Sequence, residues 1–253
     1  MIQQLLYFLG SIVTIPLLPV LYIMGKNVRN NVPQLPEASG NIVGKIAGNN
    51  TVINLLTLGE SSMAGVGVTD HTNAITGQIA KTINDTNGST VCWQVLARNG
   101  YTAEKVNSKL IPKIPLQAFD IIVIGLGGND TFKLNSPLTF KKNIFSVINN
   151  IQKLQPKAKM IVVNMPPIAY FPAFPWLMQF ILGNLVSLHG SIIGTIPTVF
   201  KNVHYMSEPI SFEEQTNKNP NMFDYFSDGV HPSALTYKIW GEDIGNFILS
   251  KTQ

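Results

Sequence analysis

Three short segments carry residue types suited to nucleophilic chemistry: Gly59-Glu60-Ser61-Ser62, Gly127-Gly128-Asn129-Asp130 and Ser227-Asp228-Gly229-Val230-His231-Pro232. In the third, a carboxylate and an imidazole stand three residues apart in a turn-forming run, so both can face one cleft. Asp228 would hold one ring nitrogen of His231 while the other takes a proton from a serine hydroxyl. Taken alone, the run is as readily an Asp-Gly turn before a helix. Ser61 follows an apolar run of strand type, Val52 to Leu58, which would place its hydroxyl at a sheet's carboxyl edge, where a helix can begin. Backbone N–H groups are available there for a developing oxyanion. A serine at such a place is more often an N-cap, and Met63 breaks the G-x-S-x-G elbow pattern. The glycines before Asn129 lack the lysine and the spacing of a phosphate loop, and Asn-Asp after glycine is ordinary turn chemistry. No segment decides the matter singly.

The elements that must position these residues are clearer. Short apolar runs predict strands at Val52–Leu58, Thr90–Leu96, Asp120–Leu126, Met160–Met165 and Val203–Met206. The run DIIVIGL is continuous and β-branched, the type buried on both faces of a parallel sheet. Helical periodicity predicts helices over Thr139–Leu154 and Ser233–Leu249, with shorter ones near Ala74–Ile83 and Thr102–Leu110. Strand-helix alternation implies a three-layer α/β/α domain around a parallel sheet of about five strands, doubly wound. Such sheets bind ligands beyond the carboxyl ends of their strands, where Ser61 and Asn129 fall.

Serine after strand one, Gly-x-Asn-Asp after strand three and Asp-x-x-His-Pro before the last helix together resemble the SGNH (GDSL) hydrolase superfamily. The first block of that family, Gly-Asp-Ser-Leu, corresponds to Gly59 to Ser62; Glu60 replaces the aspartate and Ser62 the leucine. Its second block contributes a glycine, for which Arg98-Asn99-Gly100 is the counterpart and the loosest match. Its third and fifth blocks are met in full by Gly127 to Asp130 and Asp228 to Pro232. The resemblance spans Val52 to about Leu249 and implies a flavodoxin-like fold. By position it implies Ser61 as nucleophile, His231 as general base and then acid, and Asp228 as its orienting partner. The oxyanion donors it implies are the N–H groups of Ser61 and Gly100 and the side-chain amide of Asn129.

Composition narrows the rest. Charged residues are only 13% of the 253, against about 25% in a typical soluble domain. The deficit lies in residues 1–25 and 160–200, which contain no Asp, Glu, Lys or Arg. A net charge of +4 without a basic face argues against nucleic acid. A single cysteine, Cys92, allows no intrachain disulfide, and the four histidines lack metal-ligand spacing, so neither metal nor cofactor is expected. Residues 1–25 are long and apolar enough for a membrane anchor or interfacial helix, despite Pro16 and Pro19; a cleaved signal, without basic start or cleavage site, and a buried helix are the rivals. Lys26, Arg29 and Lys45 favour a cytoplasmic domain. Residues 26–50 read as a linker and 51–253 as the hydrolase domain. The apolar run from Phe171 to Leu182, including Phe174 and Trp176, is a candidate acyl-binding wall; helix packing is the equal alternative.

The reading is a membrane-associated serine esterase or lipase acting on a small-molecule acyl ester or lipid of short-to-medium chain. An acyltransferase or deacetylase acting on a glycan, and an inactive binding protein of the same fold, are the alternatives. The oligomeric state is not specified by the sequence.

Overall fold

Alternation along the central strands decides which helices cover each face of the sheet. The computed structural model describes residues 2–208, 210 and 221–252. In β2 (Val52–Gly59), Leu55 points to one side while Leu56 and Leu58 point to the other. In β4 (Ile121–Gly125), Ile121 and Val123 oppose Ile122 and Ile124 in the same way, and every residue of that strand is buried. Burial on both faces is what a continuous β-branched run permits. The first face is closed by α2 (Ile75–Asn87) and α7 (Ala234–Thr252), through Ile79, Ile83, Tyr237, Trp240 and Ile244. The second is closed by α3 (Ala103–Lys109) and α5 (Pro137–Leu154), through Val106, Phe140, Ile144 and Val147. The result is the three-layer α/β/α fold that the sequence resemblance implies.

Among the described residues the sheet has six strands in the order β1-β3-β2-β4-β5-β6. The remaining strands are β3 (Thr90–Ala97), β5 (Lys159–Val163) and β6 (Val203–Met206), and β3, β2, β4, β5 and β6 run parallel. The sixth, β1 (Val43–Ile46), pairs antiparallel with the outer edge of β3 and was not anticipated. It lies inside the stretch read as linker. Four half-exposed residues carry too little apolar alternation to signal a strand; what seats it is a close approach, since a Cβ on Gly44 would lie 2.2 Å from the Trp93 ring.

Winding starts at β2, moves out to β3, then crosses back over β2 to β4. The crevice at that reversal opens beyond the carboxyl ends of β2 and β4. Residue 61 does not begin a helix, contrary to expectation: 61–67 form successive turns, with Gly65 and Gly67 at φ +71° and +107°, outside the helical region. A five-residue helix, α4 (Gly128–Phe132), follows β4 instead.

Two strongly apolar helices flank this core, with Lys26 and Arg29 at the end of the first as their only Asp, Glu, Lys or Arg residues. The first, α1 (Ile2–Asn31), continues past Gly25 into the expected linker and contains both prolines. The other, α6 (Trp176–Ile193), buries Met178, Leu182, Leu185 and Ile192 and touches α1, α4 and α5. Each is long and apolar enough to cross a membrane by length and composition.

Candidate active site

The turn that presents Ser61 is built on two glycines. Gly59 and Gly125 end the neighbouring strands β2 and β4 and are paired in register. A Cβ on Gly59 would sit 2.2 Å from the Gly125 carbonyl oxygen, so the strand ends could not close with a side chain there. Met63, fully buried, fills the space under both glycines; its Cε is 2.6 Å from where a Gly125 Cβ would be. The residue that broke the elbow motif is therefore a core plug beneath the turn. The Glu60 N–H donates to the Gly125 carbonyl (3.2 Å) and the Val66 N–H to the Ser61 carbonyl (3.1 Å), which fixes the serine at the crevice.

Asp228 and His231 come from one tight turn. The Asp228 carboxylate accepts from the backbone N–H groups of Val230 (2.9 Å) and His231 (2.7 Å), and its second oxygen lies 2.7 Å from His231 Nδ1. Its side chain is shielded from solvent, whereas that of His231 is about one-fifth exposed. Burial pushes the Asp228 carboxyl up, but the hydrogen bonds from His231 side chain and backbone outweigh it, and the group ends below its usual range. A carboxylate held low in this way and bonded at both oxygens favours the tautomer in which Nδ1 carries the proton and Nε2 is the acceptor. The turn is pressed onto the segment after the nucleophile. A Cβ on Gly67 would meet the Pro232 carbonyl at 2.3 Å, and the Ser227 hydroxyl lies 2.9 Å from the Gly67 carbonyl. Across the same seam the Tyr237 hydroxyl donates to the Val66 carbonyl (2.7 Å).

Glu60 ties the third segment to the first. Its buried carboxylate accepts from the N–H groups of Gly128 (2.8 Å) and Asn129 (2.9 Å) and from the Asn129 side-chain amide (2.8 Å). Desolvation pushes this carboxyl up to about 7 against the opposing pull of those N–H donors. The other Asn129 amide proton faces the Tyr101 carbonyl at 3.2 Å. The neighbouring Asp130 accepts from the Ala103 N–H (2.8 Å) and from the Asn135 amide (2.7 Å). The loop bearing Gly100 is thereby stitched to the loop bearing Asn129. Gly100 itself has φ +74°, a conformation that side chains disfavour, while the preceding Asn99 lines the cleft. Both amide protons of Asn129 are engaged, so donation to an oxyanion requires the longer bond, to Tyr101, to be shared or released.

Ser61, Asn129 and His231 line one cleft of about 190 Å³, together with Glu60, Phe132, Ile168 and Phe171. Among the described residues no hydrogen bond of normal length joins the Ser61 hydroxyl to the imidazole; such bonds commonly tighten when substrate engages. A larger cavity, about 420 Å³ beside β1 and Trp93, contains none of these groups. Of the expected acyl wall, only Phe171 lines the cleft. Phe174 stands behind it, edge-on to Phe171 and to Phe132 with centroids 5.4 and 5.9 Å apart. Trp176 is not part of the wall: as the first residue of α6 it turns outward and is 74% exposed. Phe132 and Ile168 escaped the sequence reading, although Phe132, three residues past Asn129 on a short helix, could have been found from the motif.

With this geometry in view, comparison with known proteins gives a family. The model of the GDSL-like lipase/acylhydrolase family matches residues 57–239. The chain belongs to that family. No curated protein sequence matches it. Among solved structures, similar ones include a lipase from a goat rumen metagenome, 16% identical with a TM-score of 0.59 over 76% of this chain and 95% of that one. A lipase/acylhydrolase from Enterococcus faecalis is 20% identical, with a TM-score of 0.54 over 79% and 96%. A carbohydrate esterase from Corynascus thermopiles is 15% identical, with a TM-score of 0.56 over 81% and 67%. At these identities the likeness is one of fold, and the GDSL-family chain is a hydrolase by its family.

Proposed function

We propose that this GDSL-family hydrolase cleaves carboxylic esters of short-to-medium acyl chains through an acyl-enzyme on Ser61, at a membrane that it joins through α1. The observation that carries the reading is the bonded Asp228–His231 pair, whose imidazole lines the cleft that also holds Ser61. In the first half-reaction, His231 Nε2 takes the Ser61 proton as Oγ bonds to the ester carbonyl carbon. The negative charge on the carbonyl oxygen is met by the Ser61 N–H, the Gly100 N–H and the Asn129 amide. Collapse expels the alcohol, which leaves with the proton from His231. Water then attacks the acyl-serine by the same route in reverse, releasing the acid and restoring the Ser61 hydroxyl.

Acyl preference follows from the wall. Phe132, Ile168 and Phe171 offer apolar surface and no charge, and each buried methylene contributes about 0.8 kcal/mol. From acetyl to hexanoyl, four further methylenes should raise kcat/KM by about two orders of magnitude if most of that is realised in the transition state. Rates across p-nitrophenyl esters from C2 to C12 should peak at C4 to C8, and Phe132→Ala should flatten the peak. A steady fall from C2 would instead favour deacetylation or acetyl transfer on a polar acceptor such as a glycan.

A further inference from the structure

The polarity of the first half of α1 is inside out, while its second half turns Leu21, Met24 and Val28 onto the core in the ordinary way. Within its first 14 residues the polar side chains Gln3, Gln4, Tyr7, Ser11 and Thr14 all fall on the half-buried stripe that faces the domain. Leu5, Phe8, Ile12 and Ile15 face outward and are about half or more exposed. The stripe is engaged: the Tyr7 hydroxyl donates to the Leu134 carbonyl at 3.2 Å, and the helix runs against α5 and α6. A helix seated on a water-facing domain would turn its apolar side inward. Along residues 3–14 the domain takes the polar side instead, and the apolar side there is left for a medium without hydrogen-bonding demands.

The Tyr7 contact also excludes a plain tether. At about 1.5 Å per residue, Tyr7 lies roughly 36 Å along the helix from its end at Asn31. In an upright span of a hydrocarbon layer about 30 Å thick, Tyr7 would stand across the bilayer from a domain held at Asn31. It could not then reach Leu134. On α6, which packs against α1, the exposed start adds Trp176 and Phe180, 74% and 64% exposed, with Tyr170 before them. Tryptophan and tyrosine favour the boundary between headgroups and acyl chains, and Lys26 and Arg29 at the end of α1 suit anionic headgroups. Leu134 lies two residues beyond Phe132, which lines the cleft.

We infer that α1, docked on the domain by the polar stripe of its first half and by Leu21, Met24 and Val28 of its second, forms with Trp176 and Phe180 one bilayer-seated face, beside which the cleft takes acyl chains from membrane lipid. The last clause rests on the ester-hydrolase reading; the seated face does not.

The test uses the full chain in phosphatidylcholine vesicles with brominated acyl chains. Trp93 and Trp240 are buried, so contact quenching reports Trp176. Emission should be quenched, and Trp176→Phe should remove the quenched component. Ser11→Leu with Thr14→Leu makes a better free span and a worse docked helix; it should keep the protein on floated vesicles while quenching is lost. Flotation without quenching in the parent chain, or quenching unchanged in the double variant, overturns the inference. Turnover of p-nitrophenyl butyrate in detergent is scored separately. Quenching without turnover would retain the seated face and remove the lipid-substrate clause, whereas turnover without quenching would remove the face alone.

Discussion

Ser61→Ala should reduce kcat by about 10⁶, to the residual rate that oxyanion donors and substrate positioning sustain alone. The size follows from the mechanism: without Oγ there is no acyl-enzyme, and His231 has no nucleophile to deprotonate. The substitution removes one oxygen from a turn held by backbone bonds at Glu60, Ala64 and Val66, so the fold should survive. Burst kinetics with p-nitrophenyl butyrate and labelling by a fluorophosphonate probe measure the effect together. Both should vanish in folded Ser61→Ala protein. Label that persists on another serine would mean the nucleophile lies elsewhere.

Asp228→Asn should cost about 10⁴ in kcat with little change in KM. An asparagine of the same shape can still accept the Val230 and His231 N–H groups through its oxygen. Its NH₂ then faces Nδ1, which must become an acceptor, so the proton moves to Nε2 and the ring can no longer take one from Ser61. A general shift in structure would raise KM and lower thermal stability together; a tautomer error touches kcat alone. Measuring kcat, KM and Tm on the same preparation separates the two. Equal losses in Asp228→Asn and Asp228→Ala would be consistent with the tautomer account, while an undiminished kcat in Asp228→Asn would rule it out.

The core of this fold could be read because its residues report two periodicities without interference. Thr90–Leu96 and Val203–Met206 became strands within a residue of their expected bounds, and the amphipathic runs around Phe140 and Trp240 became α5 and α7. The misses are elements specified by contact instead of pattern. The edge strand at Val43–Ile46 depends on Gly44 lying under a tryptophan ring 49 residues away. The absence of a helix after Ser61 depends on positive φ at Gly65 and Gly67, which nothing in local hydrophobicity announces. At the site, the Asp-x-x-His spacing was legible because one turn suffices to make the pair. The hold of Glu60 on Asn129 spans 69 residues and two strands, so a sequence shows both groups without their bond.

Burial of the Glu60 carboxyl makes the fold a proton acceptor, against the pull of that hold. Glu60 titrates near 4.5 in an unfolded chain and near 7 in the folded one, where desolvation dominates. Between those values the native state binds a proton that the unfolded chain has released, so stability falls as pH rises from about 4.5 to 7 and levels off above. The span of the shift corresponds to about 3 kcal/mol. Urea midpoints should therefore drop between pH 5 and pH 8. Glu60→Gln, though less stable throughout because one amide oxygen replaces two acceptors, should lose that slope. Ester hydrolysis releases acid. A hydrolase carrying this carboxyl beside its nucleophile is consequently stabilised, within that window, by the acidification its own turnover produces.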